Sequence, residues 1–379
     1  MSEPSRIAVP LDLKPLTTLR IMAALWVVLA DYWPDLKGAG APPPLIASGL
    51  LGVELFFVLS GFILCHVYLE AFAAERFRYV PFLWARLARI YPLHIATLAA
   101  VAVMGGAAMV LHQPLSHAVL YWPALGPNLL LTNAWGFNTD AGWNHPAWSI
   151  SAEWFAYLMF PLFALSAWGM RRRPVLAVAS TVLLLAVIYP AFERLAGFKL
   201  TNATIQWGAL RIVPCFALGC AIYLLWRSRP IRTPRTAVLA AALAFTTAIA
   251  LVAASAPTAL IVACFGGLIL SLASLTSTGS RGLSGPVGVY LGEVSFAVYM
   301  VAIPWKMLAL SGAQKLAHIG QGGLPWPLWA LYFAGVIPVA MVAHHLVERP
   351  ARAAMRKWTP RLPTIRSFPP RGETSRNIA

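Results

Sequence analysis

The sequence predicts an all-α membrane protein, a polytopic bundle of about ten transmembrane helices. Its 379 residues are 59% hydrophobic and only 11% charged, with a mean hydropathy of +0.69. Soluble domains carry about a quarter charged residues, so this composition excludes an ordinary soluble protein. Apolar runs of about twenty residues, the length of a membrane-crossing helix, recur along the chain. They lie near residues 16–34, 48–69, 92–111, 147–168, 174–192, 207–226, 237–254, 258–277, 286–310 and 327–347.

The distribution of basic residues predicts the orientation of the bundle. The chain carries a net charge of +16. When the N-terminus is placed in the cytoplasm, most lysines and arginines fall in connections on the cytoplasmic side, as the positive-inside rule requires. We therefore expect both termini to be cytoplasmic. Because topology accounts for the basic excess, no nucleic-acid partner is expected.

The chain divides into one long apolar domain and a short polar end. Residues 1–350 contain all the apolar runs and are expected to form one transmembrane domain. Residues 351–379 are basic and rich in proline, and we predict that they form a disordered cytoplasmic tail. The four cysteines lie in apolar runs without metal-ligand spacing, so no metal site is predicted.

The first apolar run, "LTTLRIMAALWVVLADYWP" (16–34), carries a charge near each end. Arg20 and Asp31 are eleven residues apart, so on a helix they share one face at a separation of roughly 16 Å. An aspartate inside a membrane span costs roughly 3 kcal/mol and indicates a functional site. The alternative is that Asp31 lies at the outer interface beside Tyr32 and Trp33, where water reaches it.

A segment that we place on the outer side leads into "LTNAWGFNTDAGWNHPAWSIS" (131–151), which is rich in Trp and Asn. Indole faces stack on sugar rings, and amide and hydroxyl groups match sugar hydroxyls. The alternative is an interfacial aromatic belt of the kind that flanks many membrane spans. The residues that we predict to contact a carbohydrate are Trp143, Asn144, Trp148, Ser149 and Ser151.

Six stretches, in this order, resemble signatures of the integral-membrane acyltransferase-3 family, whose members are typically O-acyltransferases of cell-surface carbohydrates. They are the first run (16–34), "GVELFFVLSGFIL" (52–64), "RLARIYPLH" (86–94), "HPAWSISAEWFAYLMFPL" (145–162), "LGEVSFAVYM" (291–300) and "LVERPAR" (346–352). The resemblance covers residues 12–356. It implies transfer of an acetyl group from cytoplasmic acetyl-coenzyme A to a hydroxyl of an exopolysaccharide or lipopolysaccharide precursor. The implied location is the bacterial inner membrane, with acyl-coenzyme A, a glycan acceptor and membrane lipids as partners.

Two histidines that the resemblance leads us to expect are absent. Their aligned positions hold Asp31 and Ala302. Imidazole removes a hydroxyl proton or carries an acyl group near neutral pH, and a buried carboxylate can also accept a proton. We therefore predict that Asp31 and Glu153 serve the proton transfer or its electrostatics. Of the histidines that can replace the missing ones (His66, His94, His145, His344 and His345), we favour His94 because it follows an arginine pair.

Four arginines are predicted to bind the phosphates of the donor. Arg86 and Arg89 are three residues apart and share a helix face. With Arg20 and the intramembrane Arg211 they are expected to form a basic cup at the inner mouth, because guanidinium groups contact phosphates in a bidentate manner. The alternative for Arg86 and Arg89 is simple positive-inside placement.

Two other functions remain open at this stage. One is a catalytically silent family member that binds donor or acceptor, because Asp31 and Ala302 replace the expected histidines. The other is a carrier of a glycan precursor or acyl donor across the membrane. Charged residues inside the spans are compatible with a carrier, whereas the lack of visible internal repeats is not.

Overall fold

The computed structural model describes residues 13–112, 119–137, 140, 142–277, 283–316 and 323–358. Within these ranges the chain is helical and contains no β-strand, which confirms the predicted all-α class. The helices are α1 (Lys14–Tyr32), α2 (Pro44–Ala47), α3 (Leu51–Ala73), α4 (Tyr79–Val110), α5 (Leu125–Leu129), α6 (Ala147–Leu158), α7 (Phe160–Met170), α8 (Pro174–Ala196), α9 (Gly208–Arg227), α10 (Pro234–Ala253), α11 (Thr258–Ser277), α12 (Pro286–Leu316), α13 (Trp326–Ala343) and α14 (Arg349–Lys357).

The number of membrane-spanning elements agrees with the sequence. Among the described residues, nine helical stretches are long and apolar enough to cross a bilayer. A tenth is formed if α6 and α7, which meet at a bend of 59°, are counted as one broken span. The His344–Glu348 segment is a π-helical turn that joins α13 to α14, so this last span runs without interruption from Trp326 to Lys357. The cytoplasmic location of the termini stays a prediction.

Two helices extend further than the apolar runs predict. Helix α4 begins at Tyr79 rather than near residue 92, so Arg86 and Arg89 lie inside a membrane-length helix. They are tolerated there because they face the interior of the bundle rather than lipid. Helix α14 includes residues 351–357, which corrects the prediction that the tail starts at 351. The Trp84 indole on α4 donates a hydrogen bond to the Met355 carbonyl at 2.8 Å and so links the two helices. Residues 359–379 lie outside the described part of the chain.

Close backbone contacts between helices depend on small residues. Gly61 on α3 and Gly219 on α9 lie where these two helices cross, and a Cβ at either position would collide with a carbonyl oxygen of the other helix. Gly292 on α12 similarly lies against the carbonyl oxygen of Thr17 on α1. Glycine at such crossings lets two membrane helices approach closely. These contacts fix α1, α3 and α12 around the interior of the bundle.

The connection between α4 and α6 reaches into the bundle at Asn128 and Asn144. Asn128 on α5 is fully buried, and its carbonyl oxygen lies 2.9 Å from Nε2 of His94 on α4. The Asn144 amide donates to Thr97 Oγ1 on α4 and to the Met300 carbonyl on α12, both at 3.0 Å. These hydrogen bonds place the start of α6 deep between α4 and α12.

Candidate active site

A cavity of about 270 Å³ lies between α1, α3, α4, α6 and α12. Its apolar wall comes mainly from α1 and α3. Its polar wall combines three arginines, one carboxylate and several hydroxyl groups, contributed by all five helices. The polar lining residues are Thr17, Arg20, Ser60, His66, Arg86, Arg89, Ser149, Glu153, Tyr157, Ser295 and Tyr299.

Three of the four arginines predicted to bind the donor meet at this cavity. Arg20 reaches it from α1, and Arg86 and Arg89 reach it from the first half of α4. The Arg86 Nη2 atom donates to the Tyr68 hydroxyl at 3.3 Å, while its Nε is buried without a hydrogen-bond partner among the described residues. Three guanidinium groups around one space repel one another, so the site is electrostatically suited to an anion.

Arg211 lies elsewhere, which corrects its predicted place in this basic cup. Its guanidinium is completely buried in an ion pair with Glu54 on α3, at 2.6 Å from Nε to Oε1 and 2.9 Å from Nη2 to Oε2. It also donates to the carbonyls of Ala203 and Leu50 and lies 4.7 Å from the ring centroid of Trp148. Because its donors are engaged by protein, Arg211 joins α9 to α3 and is not available to a ligand.

Glu153 is the acidic residue of the cavity. Its Oε1 accepts hydrogen bonds from the Ser60 hydroxyl at 2.7 Å and from the Tyr157 hydroxyl at 2.5 Å. Glu153 follows, by two residues, the 131–151 stretch that the sequence analysis associated with the outer side. In the structure it faces the same interior cavity as the arginines, because the preceding connection is packed inward and carries the start of α6 with it.

His94 does not reach this cavity, contrary to its predicted position beside the arginine pair. The side chain is fully buried, and its Nε2 is paired with the Asn128 carbonyl oxygen. Five residues after Arg89 on a helix correspond to a rotation of about 140°, so the two side chains point to different sides of α4. His94 therefore anchors the α4–α6 connection.

The residues predicted to contact a carbohydrate are mostly parts of the protein core. The Trp148 ring is 1% exposed, with the Arg211 guanidinium on its face and the edge of Phe57 against it. The Ser151 hydroxyl donates to the Leu131 carbonyl and accepts from the Ala134 amide. Neither group is accessible to a sugar, which corrects both predictions.

Of the remaining three residues predicted to contact a carbohydrate, two are structural and one lines the cavity. Trp143 is buried, packs edge-to-face on Trp122, and donates from its indole to the Tyr121 carbonyl at 3.0 Å. The Asn144 amide group is used for the two anchoring hydrogen bonds described above. Ser149 alone among the five lines the cavity. The pattern of Trp and Asn thus identified a packed connection rather than a carbohydrate platform.

Asp31 lies at the other end of α1 from Arg20, and its side chain is 42% exposed. Its Oδ2 is 3.8 Å from Nζ of Lys306 on α12, and the same ammonium group is 3.0 Å from Oδ2 of Asp35. This position agrees with the alternative in which Asp31 is reached by water. Ala302 is buried, and its carbonyl oxygen accepts a 2.7 Å hydrogen bond from the Tyr32 hydroxyl.

One basic residue near the cavity was missed by the sequence analysis. Arg352 projects from α14 towards α4, where its charge interacts with those of Arg86 and Arg89 and with Glu348. Its Nε atom is buried and has no hydrogen-bond partner among the described residues. The residue is part of "LVERPAR", but its approach to α4 depends on the packing of α14, which no local spacing indicates.

Comparison with known proteins is consistent with this arrangement. The sequence profile for an acyltransferase domain, that of the acyltransferase-3 family, matches residues 15–345. The chain belongs to this family. The acyltransferase-3 profile therefore covers all five helices that line the cavity, together with Asp31 and Ala302.

Two curated relatives show the extent of the similarity within the acyltransferase-3 family. "Acyltransferase MdmB" of Streptomyces mycarofaciens is 30% identical over 388 residues, which cover 92% of this chain and 94% of the relative. "Protein 2 in picA locus" of Rhizobium radiobacter is 32% identical over 158 residues, covering 37% of this chain and 79% of the relative. No solved structure matches the chain significantly. The chain is thus a multi-pass membrane protein of an acyltransferase family.

Proposed function

We propose that this acyltransferase transfers an acetyl group from acetyl-coenzyme A to a hydroxyl of an exopolysaccharide or lipopolysaccharide precursor in the bacterial inner membrane. The observation that carries the proposal is the convergence of Arg20, Arg86 and Arg89 on one cavity. The cavity holds one carboxylate, Glu153, for three arginines, and a phosphorylated acyl donor supplies further negative charge. The predicted cytoplasmic side of the bundle is the side from which such a donor arrives.

The size of the cavity favours a divided binding mode for the donor. Its volume of about 270 Å³ is near the lower limit of small-molecule sites, which is roughly 300 Å³. A whole coenzyme is too large for it. We therefore place the phosphates at the arginine end, with Arg352 as a fourth contact, and the narrow acyl-bearing arm inside the cavity.

In the proposed reaction the acceptor hydroxyl oxygen attacks the thioester carbonyl carbon. A base takes the hydroxyl proton, the carbon–sulfur bond breaks, and the thiolate leaves with coenzyme A after receiving a proton. Glu153, held by Ser60 and Tyr157, balances the arginine charges inside the cavity. An acceptor that arrives from the Asp31 end meets the acyl group at the end of the cavity that Ser149 and Tyr299 line.

A catalytically silent family member is the second candidate. It is favoured by one observation, the presence of Asp31 and Ala302 at the positions where the family resemblance leads us to expect histidines. Such a protein would bind acetyl-coenzyme A and leave it intact. Turnover of the thioester therefore separates the two candidates.

The test is performed with the purified full chain in lipid nanodiscs. Acetyl-coenzyme A consumption is followed with a crude glycan acceptor, and coenzyme A binding is measured at equilibrium. The Arg89→Ala variant should bind coenzyme A about tenfold or more weakly, since a hydrogen bond to a charged group contributes about 1.5–3 kcal/mol. The matched control is Arg172→Ala, which removes an exposed arginine between α7 and α8.

Three results decide between the candidates. Thioester turnover with an affinity loss confined to Arg89→Ala supports the proposed transfer. Binding without turnover supports the silent member. Equal binding by both variants contradicts the arginine site itself.

A further inference from the structure

The connection that carries His145 is fixed on α12 by its neighbour. Asn144 is 1% exposed, and its amide donates to the Met300 carbonyl and to Thr97 Oγ1, both at 3.0 Å. The Trp148 amide donates to the His145 carbonyl oxygen at 3.2 Å in the first turn of α6. The backbone of His145 is therefore held between α4 and α12, while its side chain keeps access to solvent.

The same turn of α12 also holds the end of α1 that carries Asp31. Tyr32, the next residue, donates from its hydroxyl to the Ala302 carbonyl, two residues beyond Met300. Asp31 and His145 are thus the sequence neighbours of Tyr32 and Asn144, whose side chains donate hydrogen bonds to backbone carbonyls of residues 300–302. The Asp31 carboxylate and the His145 imidazole influence each other electrostatically, although no hydrogen bond or ion pair joins the two side chains in the described part of the chain.

This pair is outside the cavity lining. Ser149 lines the cavity from the first turn of α6, and His145 precedes the first residue of this helix by two positions. Tyr299 lines the cavity from α12 and precedes Ala302 by three residues. Asp31 and His145 are themselves outside the cavity lining, and they are linked to it through Tyr299 on α12 and Ser149 on α6.

The surroundings of His145 suit a base that acts at neutral pH. Surrounding protein atoms disfavour the charged imidazolium and lower the pKa of His145, and the Asp31 carboxylate acts in the opposite direction. Asp31 is itself accompanied by Asp35 and Lys306, and the Lys306 ammonium group lies 3.8 Å from Asp31 Oδ2 and 3.0 Å from Asp35 Oδ2. An imidazole with a pKa below about 6.5 is neutral at pH 7 and can accept a proton.

We propose that His145 is the general base of the acyl transfer and that the charge of the Asp31 carboxylate stabilises the imidazolium that forms. The imidazole takes the proton of the acceptor hydroxyl as its oxygen bonds to the thioester carbon, and returns it to the coenzyme A thiolate as the carbon–sulfur bond breaks. An imidazole from the α4–α6 connection thereby replaces the one that is absent from α1. This inference rests on the proposed function.

The first experiment compares His145→Asn with His112→Asn, which alters an exposed histidine at the end of α4. Loss of a general base should lower kcat about 100-fold or more, with coenzyme A affinity unchanged. The rate of the unmodified chain should fall as the pH drops through the His145 pKa, and this acidic limb should be absent in His145→Asn. His112→Asn should retain both the rate and the limb.

Asp31→Asn provides a readout that a purely structural role would not produce. Because the carboxylate raises the pKa of His145, its removal should move the acidic limb to lower pH, with a loss of rate of about tenfold. If instead Asp31→Asn abolishes the rate and His145→Asn leaves it intact, the carboxylate is the base and this inference is overturned.

A second measurement does not depend on turnover. Modification of His145 by diethyl pyrocarbonate, quantified by mass spectrometry, follows its neutral fraction against pH. The midpoint should move to lower pH in Asp31→Asn, and an unchanged midpoint overturns the pairing. An unmodified chain without turnover overturns the proposed function and the base role together, whereas turnover that survives His145→Asn overturns this inference alone.

Discussion

Removing the Arg211 guanidinium should destabilise the bundle strongly, because the buried carboxylate of Glu54 would lose its counter-charge. Both side chains are 0% exposed, and the pair is bidentate. Two carbonyl oxygens, those of Ala203 and Leu50, would also lose a donor. The Arg211→Met variant keeps most of the volume of the side chain, so a cavity contributes little to the expected effect.

The magnitude follows from these contacts. Breaking a buried ion pair by removing one partner costs about 3–5 kcal/mol, since an uncompensated charge is left behind. Replacing both members by apolar groups removes that penalty. The double variant Glu54→Met/Arg211→Met then retains only the loss at the two carbonyls, about 1–2 kcal/mol. We therefore expect the second substitution to restore about 2–3 kcal/mol.

The assay is reversible unfolding by denaturant in detergent micelles, followed by tryptophan fluorescence, with coenzyme A binding measured on the folded variants. The double variant should bind coenzyme A like the unmodified chain, because Arg211 lies outside the cavity lining. A single variant that loses less than about 1 kcal/mol, or a double variant as unstable as the single one, would refute the ion-pair argument. If a folded double variant lost coenzyme A binding, Arg211 would have to contribute to donor binding, as the sequence analysis predicted.

Two further changes test the packing and the extent of the donor site. Gly219→Ala should destabilise the bundle by about 1–3 kcal/mol in the same unfolding assay, because the new methyl group collides with the Val58 carbonyl oxygen. Gly169→Ala is the control, since Gly169 on α7 faces open space, and it should be neutral or slightly stabilising. Arg352→Ala should weaken coenzyme A binding about tenfold at equilibrium, whereas Arg172→Ala should not. The Arg352 guanidinium is the proposed fourth phosphate contact, and its Nε atom has no hydrogen-bond partner among the described residues. If Gly219→Ala and Gly169→Ala changed stability equally, the close helix contact at Gly219 would be contradicted. If Arg352→Ala and Arg172→Ala changed coenzyme A affinity equally, the phosphate contact of Arg352 would be contradicted.

The fold was predictable because span length and apolarity are local properties. Nine of the apolar runs correspond to membrane-length helical stretches of the described chain, and the run near 147–168 corresponds to the bent pair α6 and α7. The other errors concern positions where polar residues continue a helix beyond its apolar part. Arg86 and Arg89 extend α4 towards Tyr79 because their side chains point to a polar cavity, and no apolar run records that cavity. Residues 351–357 are helical because α14 packs on α4, although their composition is that of a tail.

The candidate site was predictable only where residues share a helix. Arg86 and Arg89 share a face of α4 by spacing, and they do line one cavity. The role of Arg211 depends on its pairing with Glu54, which is 157 positions away in the sequence. The role of His94 depends on its contact with Asn128, in a connection whose packing the sequence does not reveal. The sequence around a buried arginine or a buried histidine does not indicate whether the side chain binds a ligand or pairs with another side chain.

The distribution of charge through the bundle gives the proposed reaction a direction. Helix α1 carries Arg20 at the end where donor phosphates are proposed to bind and Asp31 at the other end, roughly 16 Å away on the same face. Glu153 lies in the cavity with Arg20. In the proposed reaction His145, on the connection between α4 and α6, takes the role that the family resemblance gives to a histidine on α1. The Asp31 carboxylate, at the acceptor end of α1, stabilises the protonated form of this imidazole by its charge.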